Sequence, residues 1–184
     1  MVLRALPEET LPNLTTKILV TGRPGSGKTT LIKRLVNELG LPAAGFYTEE
    51  IRKHGQRVGF KIVTVDGKQG VFAHVDFDTP ERVGKYGLHL EPLETVGVAA
   101  LREAVRQRWL AVVDEIGPME IRSTAFCEVV KQVLESEAPI LGTITVRSFP
   151  FTNAIKKRRD ITVITVGPGN RDQLVCELSR RFTF

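Results

Sequence analysis

One stretch near the N-terminus, GRPGSGKT at residues 22–29, constrains the fold of this chain more than any other. It has the P-loop pattern of glycine, four residues, then Gly-Lys-Thr. A short buried strand is predicted directly before it at Lys17–Thr21, and an amphipathic helix directly after it at 28–39. This context matches the way a P-loop works, because the loop amides and the helix N-terminus together face phosphate. The predicted nucleotide-binding residues of the loop are Gly22, Arg23, Pro24, Gly25, Ser26, Gly27, Lys28 and Thr29.

Two residues of the loop carry reactive groups. The long cationic side chain of Lys28 suits contact with the β- and γ-phosphates. The hydroxyl of Thr29 is a hard oxygen ligand of the kind that Mg²⁺ prefers. A glycine-rich turn can match the pattern by chance, but the predicted strand and helix on either side count against that interpretation. We therefore expect Lys28 to be catalytic and Thr29 to be a metal ligand.

The remainder of the chain alternates between strand and helix patterns. This alternation predicts an α/β fold with a mostly parallel sheet and helices on both faces. Short strands separated by tight turns between residues 45 and 75 predict an antiparallel hairpin insertion after the first helix. Residues 1–16 have the composition of an N-terminal arm, and 17–184 form one predicted domain. Further strands are predicted at 110–114, 140–145 and 161–166, and further helices at 92–109, 123–137 and 170–182, with a short helix within 148–159.

Two consecutive acids stand at the end of the predicted central strand. The apolar run 110–113 ends in Asp114, where a carboxylate is placed to hold Mg²⁺. Glu115 follows and suits the polarisation of an attacking water, provided that the chain turns there so that both side chains face the same site. Gly117 is consistent with such a turn. The alternative interpretation is that these two acids are an ordinary solvated strand end. The presence of the P-loop favours a functional role for them.

The next predicted strand, 140–145, adds weaker candidates. Thr143 or Thr145 at its end could sense the γ-phosphate, although threonine is common in strands for other reasons. Arg147 follows at the mouth of the same strand and is our first candidate for a catalytic arginine, with Arg158, Arg159 and Arg171 behind it.

Charge and hydropathy narrow the class of function. The formal net charge of +5 lies entirely within residues 147–184, which hold 8 basic and 3 acidic residues. This asymmetry argues against a uniformly basic nucleic-acid coat. No run approaches the roughly 20 apolar residues of a membrane span, and the N-terminal stretch lacks the apolar region of a signal peptide. We therefore expect a cytoplasmic protein that does not act at a membrane.

Seven stretches, taken in order, resemble one family. The family is that of the small P-loop nucleoside-triphosphatases, which includes the cancer-related nucleoside-triphosphatase. The combination covers nearly all of 17–184 and is more specific than the P-loop alone. The stretches are GRPGSGKTTLIKRL, GFYTEEIR (45–52), RVGFKI (57–62), VGKYG (83–87), VVDEIGPME (112–120), GTITVR (142–147) and NRD (170–172).

This resemblance implies a RecA-like α/β fold and slow, Mg²⁺-dependent hydrolysis of ATP, GTP and other nucleoside triphosphates to the diphosphate and phosphate. It implies that the second nucleotide-binding segment consists of Leu110, Ala111, Val112, Val113, Asp114, Glu115, Ile116 and Gly117. Asp114 would be the metal ligand and Glu115 the catalytic carboxylate. The sequence departs from the family in two places: the arm 1–16 is additional, and Pro118 stands where many members carry lysine.

Two other functions fit parts of the sequence. The first is a small-molecule or nucleotide kinase, with Lys156-Lys157-Arg158-Arg159 in a phosphate-binding lid, but no acceptor motif is evident. The second is a nucleic-acid-binding module that uses the same basic run, with the nucleoside triphosphate as regulator. That run is short and lacks interleaved aromatic residues, so nucleic acid is not the favoured partner. No obligate protein partner is inferred, and the expected ligands are a nucleoside triphosphate and Mg²⁺.

Overall fold

The computed structural model describes residues 16–167 and 169–182, so all of the predicted arm except Thr16 lies outside the described residues. Within these ranges nine strands form one sheet. The strands are β1 (Lys17–Thr21), β2 (Ala43–Lys53), β3 (Gln56–Thr64), β4 (Gln69–His74), β5 (Arg82–Val83), β6 (Tyr86–Leu88), β7 (Leu110–Ile116), β8 (Ile140–Ile144) and β9 (Thr162–Thr165). The α-helices are α1 (Lys28–Leu39), α2 (Ala99–Gln107), α3 (Thr124–Glu135), α4 (Pro150–Lys156) and α5 (Arg171–Phe182).

The sheet has two parts that meet at β2. Its strand order is β5-β6-β4-β3-β2-β7-β8-β1-β9. Strands β2, β7, β8, β1 and β9 are mutually parallel. Strands β3, β4, β6 and β5 extend the sheet in antiparallel pairs. The α/β fold with its parallel core is confirmed, and the antiparallel extension lies where the hairpin insertion was predicted.

Helices cover both faces of the parallel part, as predicted. Alternate residues of one strand face opposite sides of a sheet. In β7, Ala111 and Val113 accordingly join the cluster that packs under α2 and α3. Leu110 and Val112 of the same strand join the cluster under α1 and α5. The strand is buried on both faces, which explains why its sequence is a continuous apolar run.

Local signals fix the ends of the helices next to the site. Helix α1 occupies the predicted residues 28–39 and ends at Gly40, which adopts the left-handed conformation with φ 58°. Helix α3 begins after the predicted cap Ser123, whose hydroxyl accepts a hydrogen bond from the amide of Phe126. These caps satisfy backbone groups that the helix itself leaves unpaired. Helix α2 is preceded by a π-helical segment, Leu93–Val98, and α3 by a short 3₁₀ turn, Glu120–Arg122.

Strands β5 and β6 were not predicted, because strands of two and three residues carry too little pattern to detect.

No helix among the described residues is long and apolar enough to cross a membrane.

Candidate active site

The P-loop joins β1 to α1 at the carboxyl edge of the parallel strands. Gly22 lies so close to the β9–α5 connection that a Cβ atom there would come within 2.5 Å of the Val166 carbonyl oxygen. Gly27 has φ +89°, in the left-handed region that glycine adopts without strain. These positions explain why the loop needs glycine. The described geometry matches the predicted strand–loop–helix context.

Lys28 is folded back onto its own loop. Its Nζ donates to the carbonyl oxygens of Gly22, at 3.0 Å, and Arg23, at 3.2 Å. The lysine therefore lies at the centre of the loop, where it can reach an incoming phosphate by exchanging these carbonyl acceptors for phosphate oxygens.

A cleft of about 890 Å³ opens beside the loop. One wall is the P-loop with Thr29, and another is the pair Asp114 and Glu115 on β7. The carboxyl ends of parallel strands lie at one edge of a sheet, which is where open α/β folds bind their ligands. The sequence placed its main candidates at these ends, and the structure brings Lys28, Thr29, Asp114, Glu115 and Arg147 together in one cleft.

Asp114 is buried, and among the described residues only one of its two carboxylate oxygens has a hydrogen-bond partner. Its Oδ1 accepts a hydrogen bond of 2.6 Å from the Thr143 hydroxyl of the neighbouring strand β8. Its Oδ2 is buried and has no hydrogen-bond partner among the described residues. Burial raises the pKa of this carboxyl, while the Thr143 and Thr29 hydroxyls and the charge of Lys28 oppose the shift. An unpartnered buried carboxylate oxygen needs a ligand, because it is costly to leave unpaired.

Glu115 lines the cleft beside Asp114. The pairing of β7 with β8 shifts between Val113 and Ile116, so the regular alternation of side chains is interrupted at these two acids. Burial raises the pKa of the Glu115 carboxyl, while Lys28 lowers it and Asp114 raises it further. The turn that the sequence required at Glu115 is thus provided within the strand.

Glu120 is a site residue that sequence reasoning missed. It is 4% exposed and lines the cleft near Glu115. Gly117 makes room for both carboxyls, since a Cβ there would lie 2.9 Å from Oε2 of Glu120 and 3.1 Å from Oε1 of Glu115. Burial, together with the charge of Glu115, raises the pKa of Glu120 to about 8. The only signal in the sequence was its place at the end of the VVDEIGPME stretch.

The far wall of the cleft comes from the antiparallel extension. Arg57 of β3 donates to the Tyr86 hydroxyl at 3.0 Å and to Glu50 at 2.7 Å. Its guanidinium lies 5.1 Å from the centre of the Phe60 ring. Glu49 of β2 pairs with Lys33 and Lys61. Arg57 and Glu49 were not predicted as site residues, because only the pairing of β2 with β3 brings them to the cleft.

Two of the candidate catalytic arginines, Arg147 and Arg158, lie in different places relative to the cleft. Arg147 lines the cleft, and its guanidinium lies 5.6 Å from the centre of the Phe149 ring. Arg158 instead binds Asp160 at 2.8 Å and the Leu134 carbonyl at 3.1 Å. Lys17, at the start of β1, contacts the same two groups, which places Arg158 at the end of the sheet opposite the P-loop. Arg158 is therefore wrong as a catalytic candidate, and it accounts structurally for part of the basic run.

Most side chains of the second predicted nucleotide-binding segment lie in the protein core. The side chains of Leu110, Ala111, Val112, Val113 and Ile116 are 0–1% exposed and lie in the two cores. They position the strand and do not line the cleft. The residues of this segment that reach the cleft with reactive groups are Asp114 and Glu115.

The fold, with a P-loop after β1 and two acids at the end of β7 facing one cleft, defines the P-loop class of nucleotide-binding α/β proteins. A sequence model described as NTPase matches residues 17–179. The chain belongs to this NTPase family, so the expected enzyme class, nucleoside-triphosphatase, is confirmed.

Individual relatives are similar to this chain over most of their length. The nucleoside-triphosphatase THEP1 of Thermotoga petrophila is 51% identical over 162 residues, covering 88% of this chain and 90% of the relative. That of Methanocaldococcus jannaschii is 39% identical, covering 88% and 94%. The crystal structure of THEP1 from Aquifex aeolicus has a TM-score of 0.85 at 34% identity, covering 92% of this chain and all of that one. The solution structure of a human cancer-related nucleoside triphosphatase has a TM-score of 0.77 at 36% identity, covering 90% and 96%. The family resemblance read from the sequence is confirmed.

Proposed function

We propose that this chain hydrolyses nucleoside 5′-triphosphates, ATP and GTP among them, to the diphosphate and phosphate with Mg²⁺. The observation that carries the proposal is the meeting of Lys28, the free oxygen of Asp114 and Glu115 in one cleft. This combination offers a cation and amides for the phosphates, a metal-binding oxygen, and a carboxylate to direct water.

The residues present fit a magnesium ion. Mg²⁺ prefers hard oxygen ligands and keeps several waters, so one carboxylate and one hydroxyl together with phosphate oxygens are enough. Asp114 Oδ2 is buried and has no hydrogen-bond partner in the part of the chain that the structure describes, and Thr29 lines the same cleft. Among the residues that the structure describes, no group of three or more His, Cys, Asp or Glu side chains could hold a metal ion. The phosphates would therefore have to complete the site. Bound there, Mg²⁺ would neutralise charge that develops on the β- and γ-oxygens.

Three side chains of the protein, Lys28, Glu115 and Thr143, have separate roles in the proposed hydrolysis. Lys28 exchanges its carbonyl acceptors for phosphate oxygens and holds the β–γ bridge region. Glu115 orients a water in line with the γ-phosphorus and accepts its proton as the water oxygen bonds to phosphorus. The bond from the γ-phosphorus to the β–γ bridging oxygen breaks, and the electron pair leaves with the diphosphate. Thr143 holds Asp114 so that Oδ2 faces the cleft.

We propose that turnover is slow, because the protein's own arginines do not complete the site. A well-placed arginine is worth about 10³–10⁵ in rate for phosphoryl transfer. Arg57 is paired with Glu50, and Arg147 is exposed at the cleft with its guanidinium 5.6 Å from the centre of the Phe149 ring. Arg147 remains the proposed catalytic arginine, and an exposed side chain of this kind is not held in one position for catalysis.

The test is a phosphate-release assay with ATP, GTP, CTP and UTP and no added acceptor. In Glu115→Gln, ATP binding should persist and turnover should fall by roughly 10²–10⁴-fold, the usual contribution of a general base. Lys28→Ala should lose binding as well. Glu128→Gln, at an exposed position of α3, is the matched control and should keep wild-type turnover.

Two outcomes would contradict the proposal. Unchanged turnover in Glu115→Gln would remove that residue from the mechanism. Phosphate transfer that strictly requires an added acceptor would instead support the kinase alternative.

A further inference from the structure

Arg171 is the first residue of α5, and its side chain lies directly against the P-loop. A Cβ atom at Gly27 would lie 3.1 Å from Nη1 of Arg171 and 3.2 Å from its Cδ. The guanidinium therefore rests on the backbone of the loop residue that immediately precedes Lys28. The side chain is 43% exposed, so a ligand can reach it.

The connection that carries Arg171 is fixed by its neighbour Asn170. The Asn170 side chain accepts from the Gly167 amide at 3.0 Å and donates to the Thr165 carbonyl at 3.1 Å. These bonds tie the end of β9 to the start of α5. Because Asn170 holds both ends, the position of Arg171 over the loop is set by the fold rather than by a freely rotating segment.

The charge of Arg171 is poorly neutralised where it lies. The adjacent Asp172 is bound by Arg34 of α1, and that pairing lowers the pKa of the Asp172 carboxyl. An Asp172 oxygen is 4.0 Å from Nε of Arg171, beyond hydrogen-bond distance. This Nε is buried and has no hydrogen-bond partner among the described residues. A guanidinium with unused donors beside a phosphate loop is a ready anion ligand.

The sheet order indicates which part of a nucleotide would meet it. The carboxylates that mark the γ-phosphate end are on β7, and the order β7-β8-β1-β9 places β9 on the other side of the P-loop strand. Arg171 follows β9 and is absent from the lining of the cleft, whereas Asp114 and Glu115 are part of it. A triphosphate with its γ end at Glu115 therefore extends its nucleoside end toward Arg171.

We propose that Arg171 binds the α-phosphate of the nucleotide and thereby holds its nucleoside end on the loop. This inference rests on the proposed function of the same site. A contact to the α-phosphate is made equally by triphosphate and diphosphate and is independent of the base. Arg171 is thus a binding residue that adds affinity without acting on the bond that breaks.

Calorimetric titration with ADP, and with ATP in a Glu115→Gln background, tests this assignment. Arg171→Ala should weaken both nucleotides by roughly ten- to a hundredfold, the value of charge-assisted hydrogen bonds. In the otherwise wild-type enzyme it should raise KM and leave kcat unchanged, because binding of ground and transition states falls together. Arg171→Lys keeps the charge and should recover part of the affinity.

Arg180→Ala is the matched control, because Arg180 is exposed in the last turn of the same helix α5. It removes one positive charge from that helix but leaves the Arg171 guanidinium on the loop, so affinity for ADP should not change. Urea unfolding of every variant, followed by circular dichroism, separates loss of binding from loss of folding.

Three results would overturn the assignment. A fall in kcat with unchanged affinity for ADP would place Arg171 at the γ-phosphate. Weakening of ADP with no weakening of UDP, titrated in the same way, would mean that the guanidinium stacks on the base. Unchanged affinity for both nucleotides would leave Arg171 a structural residue. If ADP binds and depends on Arg171 while the wild type releases no phosphate, the proposed hydrolysis fails and this inference stands.

Discussion

The parallel and antiparallel parts of the sheet contribute to the same cleft in different ways. In the parallel part, β1, β7 and β8 are buried on both faces, and they present Lys28, Asp114 and Thr143 at one edge. In the antiparallel part, the residues at the cleft are held by surface ion pairs such as Arg57 with Glu50. The reactive groups thus lie at the ends of the most buried strands, and the cleft wall is formed by the more exposed strands. Rigid placement is needed where the chemistry occurs, whereas the wall has only to bound the space.

The largest effect that would test this contrast is expected at the buried hydrogen bond between β7 and β8. Thr143→Val keeps the shape of the side chain but removes the 2.6 Å bond to Asp114. A hydrogen bond to a charged group is worth about 1.5–3 kcal/mol, and its loss leaves a buried acceptor unpaired. We expect the free energy of unfolding to fall by that amount in urea titrations, and phosphate release to fall with it. A variant with unchanged stability and turnover would show that the parallel part does not hold Asp114 rigidly.

An intermediate effect is expected at the wall of the extension. Arg57→Ala removes the contacts to Glu50, Tyr86 and Phe60 and should reduce stability by about 1 kcal/mol, since the pairs are partly exposed. The affinity for ADP should be unchanged in calorimetric titration, because the wall lies beyond the phosphates.

Arg52→Ala is the control for this variant, because Arg52 binds the same carboxylate, Glu50, at 2.6 Å but does not line the cleft. A large fall in kcat in Arg57→Ala, with Arg52→Ala unaffected, would break the contrast by giving the extension a chemical role.

The smallest effect is expected far from the site, where Asp160 joins Lys17 and Arg158. These cations hold the pKa of Asp160 well below its usual range. A depressed pKa stabilises the folded state above the unfolded pKa, near 4, and that contribution is lost as pH falls through the folded value. Asp160 is 44% exposed, so solvent screening limits the gain to less than about 1 kcal/mol.

Asp160→Asn should therefore be slightly less stable than wild type at pH 7, and the difference should narrow below about pH 4. Urea unfolding at a series of pH values measures this. A difference that stays constant down to pH 2 would show that the effect of the substitution is not electrostatic.

The sequence predicted the parallel part better than the extension, for a physical reason. Helix α1 and the strand before it were predicted with their observed bounds, because a local motif and local periodicity determine them. Asp114 and Glu115 were predicted from the apolar run that precedes them. Strands β5 and β6 escaped prediction because two and three residues carry too little pattern. Arg57 escaped prediction because its contact with Tyr86 joins residues 29 positions apart.

The same distinction applies within the site. Glu120 lies in a cluster of carboxyls that no local pattern reveals, and the bond between Thr143 and Asp114 joins residues 29 positions apart. The shift in pairing between β7 and β8 at Asp114 and Glu115 likewise involves two separate segments of the chain. The sequence indicated that the chain must turn at Glu115, but it did not indicate which irregularity of the strand makes that turn.

Lys28 donates to the carbonyl oxygens of Gly22 and Arg23 within its own loop. An incoming anion competes with these two internal acceptors, and it gains only by the difference between its own bonds and those it displaces. A single orthophosphate offers the loop less than a chain of linked phosphates, which spans the lysine and the amides at once. We therefore expect orthophosphate to bind this loop more weakly than a nucleoside diphosphate does.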